Sequence, residues 1–173
     1  MFMNSARKKI LEILPDFADP KPYVTETVAS VREMGMKIGS TTGYTDEMMS
    51  IVVPKAKELG YEPDCWFSPN AVENYGRPYP YMIFKNMETL GLSDVRTVIK
   101  VGDTVSDIRE AFMRHETAGI VEGSSVLGLS KGEFDALNRK ETEGTVRKSE
   151  KIYKEAGADY VIRDIRGLLD IVK

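Results

Sequence analysis

Lys100-Val101-Gly102-Asp103-Thr104-Val105-Ser106-Asp107 is the stretch from which the rest of the chain can be read. Thr97 to Val101 is an apolar strand candidate and Ser106 to Arg114 a helix candidate. Asp103 therefore falls at the carboxyl end of a strand, and Asp107 follows one helical turn later. Two carboxylates beside a glycine suit a hard cation such as Mg²⁺, which takes one or two protein carboxylates and leaves its other positions to water and phosphate. Either aspartate alone reads equally well as a helix cap or a first-turn carboxylate. Both together, next to Gly102, are the more specific signal.

The same strand-then-helix order repeats on either side. Ile10, Leu11, Ile13 and Leu14 form an apolar helical face before Pro15, and Asp19-Pro20-Lys21-Pro22 marks a turn. Val24, Val28 and Val31 recur at helical spacing up to a C-cap at Gly35. Lys37 to Thr42 reads as a short strand, and Thr45 caps a helix that Pro54 should kink or break. Cys65 to Phe67, Ala118 to Val121 and Tyr160 to Ile162 are further strands, with helices over Tyr79 to Leu90, Arg147 to Ala156 and Ile165 to Val172. The polar stretch from Lys131 to Arg147 reads as a surface excursion. This alternation predicts an α/β fold with a parallel, doubly wound sheet, whose chemistry gathers at the carboxyl ends of the strands.

Two more motifs sit at such ends. Ser40-Thr41-Thr42-Gly43-Tyr44-Thr45 gathers hydroxyls and a glycine at a strand-to-helix turn, where hydroxyl and backbone donors can receive a phosphate. A capping turn would explain Thr45 but not the neighbouring hydroxyls. Gly76-Arg77-Pro78-Tyr79-Pro80 places a guanidinium, able to grip two phosphate oxygens, in a turn set by Pro78. In isolation Arg77 would read as a solvated loop residue. The three motifs together describe a crevice suited to phosphoryl transfer.

Composition narrows the classes. The 173 residues carry a net charge of -3, with 42% apolar and 29% charged residues, as in ordinary soluble proteins. Basic residues are scattered, which argues against nucleic acid and anionic membranes as partners. No apolar run approaches the ~20 residues of a bilayer span, and Met1 to Lys9 does not read as a signal peptide. One cysteine, Cys65, leaves a reducing cytoplasm as the expected compartment.

In wording and order, the motifs resemble those of the haloacid dehalogenase superfamily, and more closely those of its phosphonoacetaldehyde hydrolase (phosphonatase) family. Lys37 to Thr45, Gly76 to Pro80, Ile99 to Asp107 and Gly123-Ser124-Ser125 with Leu127-Gly128-Leu129 carry the likeness. The resemblance implies a haloacid-dehalogenase-like (Rossmannoid) core over residues 21–173. Residues 1–20 would be a linker helix returning from a cap region. It also implies Mg²⁺-dependent cleavage of a C–P bond to acetaldehyde and phosphate, through an aspartate nucleophile and a Schiff-base lysine on the cap. On this chain Arg77, Thr42 and Asp107 would be the catalytic set. Thr41, Thr42, Gly43, Tyr44, Arg77 and Thr104 would contact a small phosphonate or phosphate substrate. Asp103 would ligate Mg²⁺ directly and Asp107 through water.

Residues 1–173 depart from that family in lacking its Asp-x-Ala-Gly-Thr nucleophile motif and its cap lysine. In the family the nucleophile strand lies between the strands ending at Thr42 and Asp103. Without it the sheet is expected to lack its usual first strand, and most of the cap, and to present two open edges. Truncation is the expected reason, and the chain alone is expected to be inactive. A complementing N-terminal segment or a homodimer are the partners expected. His115, the one histidine, reads as a surface residue. The rival readings are another phosphatase or mutase of the superfamily (phosphoglycolate phosphatase-like), and a non-catalytic phosphate-binding module.

Overall fold

The computed structural model describes residues 2–111 and 116–173. The chain opens with α1 (Phe2–Ile13), followed by a 3-10 turn over Leu14–Phe17. Of the expected apolar face, only Leu14 is buried; Ile10 and Ile13 are about half exposed. Helix α2 (Val24–Glu33) ends as expected, with Gly35 at φ +83°, a backbone region that suits glycine. Strand β1 (Gly39–Thr41) leads to α3 (Asp46–Glu58), whose first turn is capped by the Thr45 hydroxyl accepting from the Met48 N–H at 3.4 Å. The helix does not break at Pro54 but runs on through it. Strand β2 (Cys65–Phe67) and α4 (Tyr81–Leu90) follow, then β3 (Ile99–Gly102), α5 (Val105–Glu110) and β4 (Glu116–Ile120).

Beyond β4 the expected surface excursion is corrected. It folds as α6 (Lys131–Asp135) and the start of α7 (Arg139–Glu155), and it drives Phe134 into the core. Each helix opens with a capping box, Ser130 with Glu133 and Asn138 with Glu141, so both starts have their free N–H groups satisfied locally. Strand β5 (Tyr160–Ile162) and the short α8 (Leu168–Ile171) close the chain. His115, and the end of the helix expected up to Arg114, lie outside the described residues.

Every strand pairing is parallel, and the strands fall into two sheets, β1-β2 and β3-β4-β5. This is an α/β arrangement of parallel sheets flanked by helices. Among the described strands, β1 and β3 each pair on one side only. Burial follows from that. Thr117, Ala118 and Gly119 in β4 are buried, as a parallel strand paired on both sides requires, whereas all of β3 is half-buried.

Ile108, Val121, Leu127, Phe134, Tyr153 and Ala158 form an apolar cluster. A second cluster packs Val31, Ala118, Ile162 and Leu168 with Ile38, Ile99 and Val101, reaching from β3, β4 and β5 to the residue just before β1. Tyr153 is fully buried, its ring so close to Gly119 that an added Cβ would lie 2.7 Å from it, and its hydroxyl donates to the Ile120 carbonyl at 2.9 Å. Burial pushes its phenol up to about 12. The fold therefore favours the neutral form, and that stability is complete below the unfolded value near 10 and lost as pH rises towards 12. Thermal melts of Tyr153→Phe across this window are expected to lose less stability than those of the parent chain.

Candidate active site

The three motifs meet where β1 and β3 face one another. Thr104 caps α5, accepting from the Asp107 N–H at 3.1 Å, while Asp107 Oδ2 accepts from the Thr104 N–H at 3.2 Å and from its hydroxyl at 2.6 Å. The cap is thus Thr104 and not Asp103, which leaves the Asp103 carboxylate outside the helix. Gly102 is required by this turn, since a Cβ there would lie 2.2 Å from Asp107 Cβ. Gly102→Ala is expected to cost about 1–3 kcal/mol, the usual cost of forcing atoms into a filled space, measured by urea unfolding.

Asp107 is almost wholly buried, and its other oxygen is held by Arg77 and, at 3.1 Å, by Lys100. Burial by itself would raise this carboxyl. Lys100, the Thr104 hydroxyl and Arg77 together outweigh it and hold the group below the usual carboxylate value. Arg77 reaches Asp107 from the turn before α4, entered through a cis Arg77–Pro78 bond. It lies over Gly43, where an added Cβ would be 3.1 Å from its Nη2. A guanidinium, a glycine backbone and the end of β1 are so brought together.

On the β1 side, Thr42 Oγ1 accepts from the Tyr44 N–H at 3.0 Å, which leaves the hydroxyl proton free to be donated outward. Tyr44 is exposed beside it. Thr41 is placed differently from the expectation of substrate contact. Its hydroxyl accepts from Lys100 Nζ at 2.7 Å and donates to Glu110 at 2.8 Å, so its bonds point into the protein.

Asp103 stands apart from this cluster, its side chain over a third exposed, and it binds the Lys21 ammonium. The same ammonium donates to the Gly123 carbonyl at 2.7 Å. A carboxylate and a carbonyl oxygen thus converge on a positive charge, a donor set of the hard-oxygen kind that Mg²⁺ accepts. No group of three His, Cys, Asp or Glu side chains among the described residues could form a complete metal cage. A cation here would accordingly keep water and substrate oxygens in its other positions. Both Asp107 oxygens are already engaged, so its part would be indirect.

Lys100, Glu110 and Lys21 were missed from the sequence. A lysine in a strand and a glutamate at a helix end ordinarily read as solvated charges, and nothing in their spacing shows that they meet.

Residues 4–111 match the haloacid dehalogenase-like hydrolase family. The chain belongs to that family. The phosphonoacetaldehyde hydrolase of Lysinibacillus sphaericus (strain C3-41) is 45% identical over 169 residues, covering 97% of this chain and 63% of that protein. A bifunctional phosphonoacetaldehyde hydrolase/aminoethylphosphonate transaminase of Clostridioides difficile (strain 630) is 43% identical over 94% of the chain and 26% of its own length. Among solved structures, a phosphonoacetaldehyde hydrolase-like protein from Oleispira antarctica superposes with a TM-score of 0.83 at 31% identity, over 88% of this chain and 55% of that one. The chain thus spans less than two thirds of the length of these hydrolase relatives. No described helix is long and apolar enough to cross a membrane.

Proposed function

We propose that these residues form the phosphoryl- and cation-binding part of a phosphonoacetaldehyde hydrolase, which splits a C–P bond to give acetaldehyde and phosphate. The observation that carries this reading is Arg77 in its Gly-Arg-Pro-Tyr-Pro turn, held between Gly43 and Asp107. Its remaining N–H donors would bind the phosphoryl oxygens, with Thr42 donating its hydroxyl and Gly43 its backbone N–H. Asp107 and Thr104 hold Arg77 and the acidic turn in position. Asp103, with the Gly123 carbonyl, would hold Mg²⁺ once Lys21 is displaced, and the ion would offset the charge of the phosphoryl group.

The family's aspartate nucleophile and Schiff-base lysine do not occur in residues 1–173, so these residues by themselves are expected to bind phosphate without cleaving a phosphonate. Residues 1–20 would link the core, residues 21–173, to a cap, and the half-exposed Ile10 and Ile13 support that role. A homodimer or an N-terminal segment would complete the assembly. Half-buried, unpaired Cys65 fits a cytoplasmic setting.

A substrate panel tests the reading. When the chain is joined to the nucleophile and cap segment of a phosphonoacetaldehyde hydrolase, phosphonoacetaldehyde is expected to be cleaved far faster than phosphoglycolate. Preferential C–O cleavage would instead favour a phosphatase of the same superfamily.

A further inference from the structure

Among the described residues, two of the most enclosed charged side chains are Lys100 and Glu110, next to Asp107. Lys100 is only 11% exposed in its side chain, and Glu110 is fully buried. An ammonium has three N–H donors, and three acceptors surround this one: Thr41 Oγ1 at 2.7 Å, Asp107 Oδ1 at 3.1 Å and Glu110 Oε2 at 3.1 Å. Thr41 closes the ring by donating to the same Glu110 oxygen. The four ionised groups, Lys100, Arg77, Asp107 and Glu110, sum to zero charge.

This network joins the two sheets through side chains. Thr41 ends β1, Lys100 belongs to β3, and no backbone pairing joins those strands among the described residues. Asp107 and Glu110 are three apart on α5, on one helix face, and would repel each other without the ammonium between them. A role in solvation or general surface charge is excluded by the burial. A purely structural role would be served as well by apolar residues of similar volume, since a buried ion pair is weak evidence for stability.

We propose that Lys100 and Glu110 are a positioning pair. By fixing Thr41 they set the Thr42–Gly43 turn, and by holding Asp107 they set Arg77, so that the two phosphate-binding loops keep one spacing. The pair touches no substrate and acts through Thr41 and Asp107. This rests on the phosphate-site reading above, and the test separates the two.

Binding of inorganic phosphate to the purified chain, with Mg²⁺ present, is measured by calorimetry, alongside thermal midpoints. Lys100→Met is expected to lower both the midpoint and the affinity, the latter at least tenfold. Lys100→Met/Glu110→Gln removes both buried charges; its midpoint is expected to recover most of the loss, while phosphate binding stays at least tenfold weaker. Recovery of parental affinity together with the midpoint would show a purely structural pair and overturn the proposal. Unchanged phosphate affinity in Arg77→Ala would overturn the site reading itself, and the positioning role with it.

Discussion

Replacing Lys100 by methionine is expected to lower the unfolding free energy by about 3–5 kcal/mol, the cost of removing one partner from a buried ion pair. The lysine's loss leaves Glu110, wholly buried, with the Thr41 hydroxyl as its remaining donor, since its second oxygen has no hydrogen-bond partner among the described residues. It also leaves Asp107 and Glu110 facing each other on one helix face. For a chain of this size each kcal/mol shifts the midpoint by roughly 2–4 °C, so a fall of the order of 10 °C is expected in a thermal melt. Exposed pairs give the contrast. Lys131 and Asp135 are both more than half exposed, where water screens the pair, and removing Lys131 should barely move the melt. Equal, small effects of the two substitutions would mean that the Lys100 network is not formed.

The second large effect concerns turnover in the completed enzyme. Arg77→Ala is expected to reduce kcat/KM by about 10²–10³, the usual loss when one preorganised donor to a developing anion is removed. Arg77→Lys should recover little, because an ammonium cannot bind Asp107 and two phosphoryl oxygens through one planar fork. The loss should fall mainly in kcat if the guanidinium binds the transition state more tightly than the substrate. A rise in KM alone would assign Arg77 to ground-state binding.

How legible all this was depended on whether the determining contacts were local. Gly102, Asp103, Thr104 and Asp107 lie within one strand-to-helix turn, so their closeness follows from sequence spacing, although it is Thr104 that caps the helix. The same holds for Thr45 and for Gly35. Helix α6 and the first half of α7 were misread because few inward positions, such as Phe134, face the core and the rest of the surface is charged. The signals that could have found them were the capping boxes Ser130…Glu133 and Asn138…Glu141. Lys100 and Glu110 were illegible for another reason. Their partners come from β1, β3 and α5, brought together only by the tertiary fold, and a charge that will be buried looks the same in sequence as one that will be solvated. Thr41 was assigned to substrate by the resemblance, whereas its hydroxyl is bonded to Lys100 and Glu110, contacts that only the tertiary fold supplies.

The central claim is that these residues hold the phosphoryl group and cation for C–P cleavage performed with a nucleophile and lysine that lie outside residues 1–173. Acetaldehyde release from phosphonoacetaldehyde with Mg²⁺ tests it most directly, using the chain alone and then mixed with an N-terminal fragment carrying both groups. The account predicts release only in the mixture, abolished by Asp103→Ala. Robust release by the chain alone, or a mixture of associated fragments that stays silent, would contradict it.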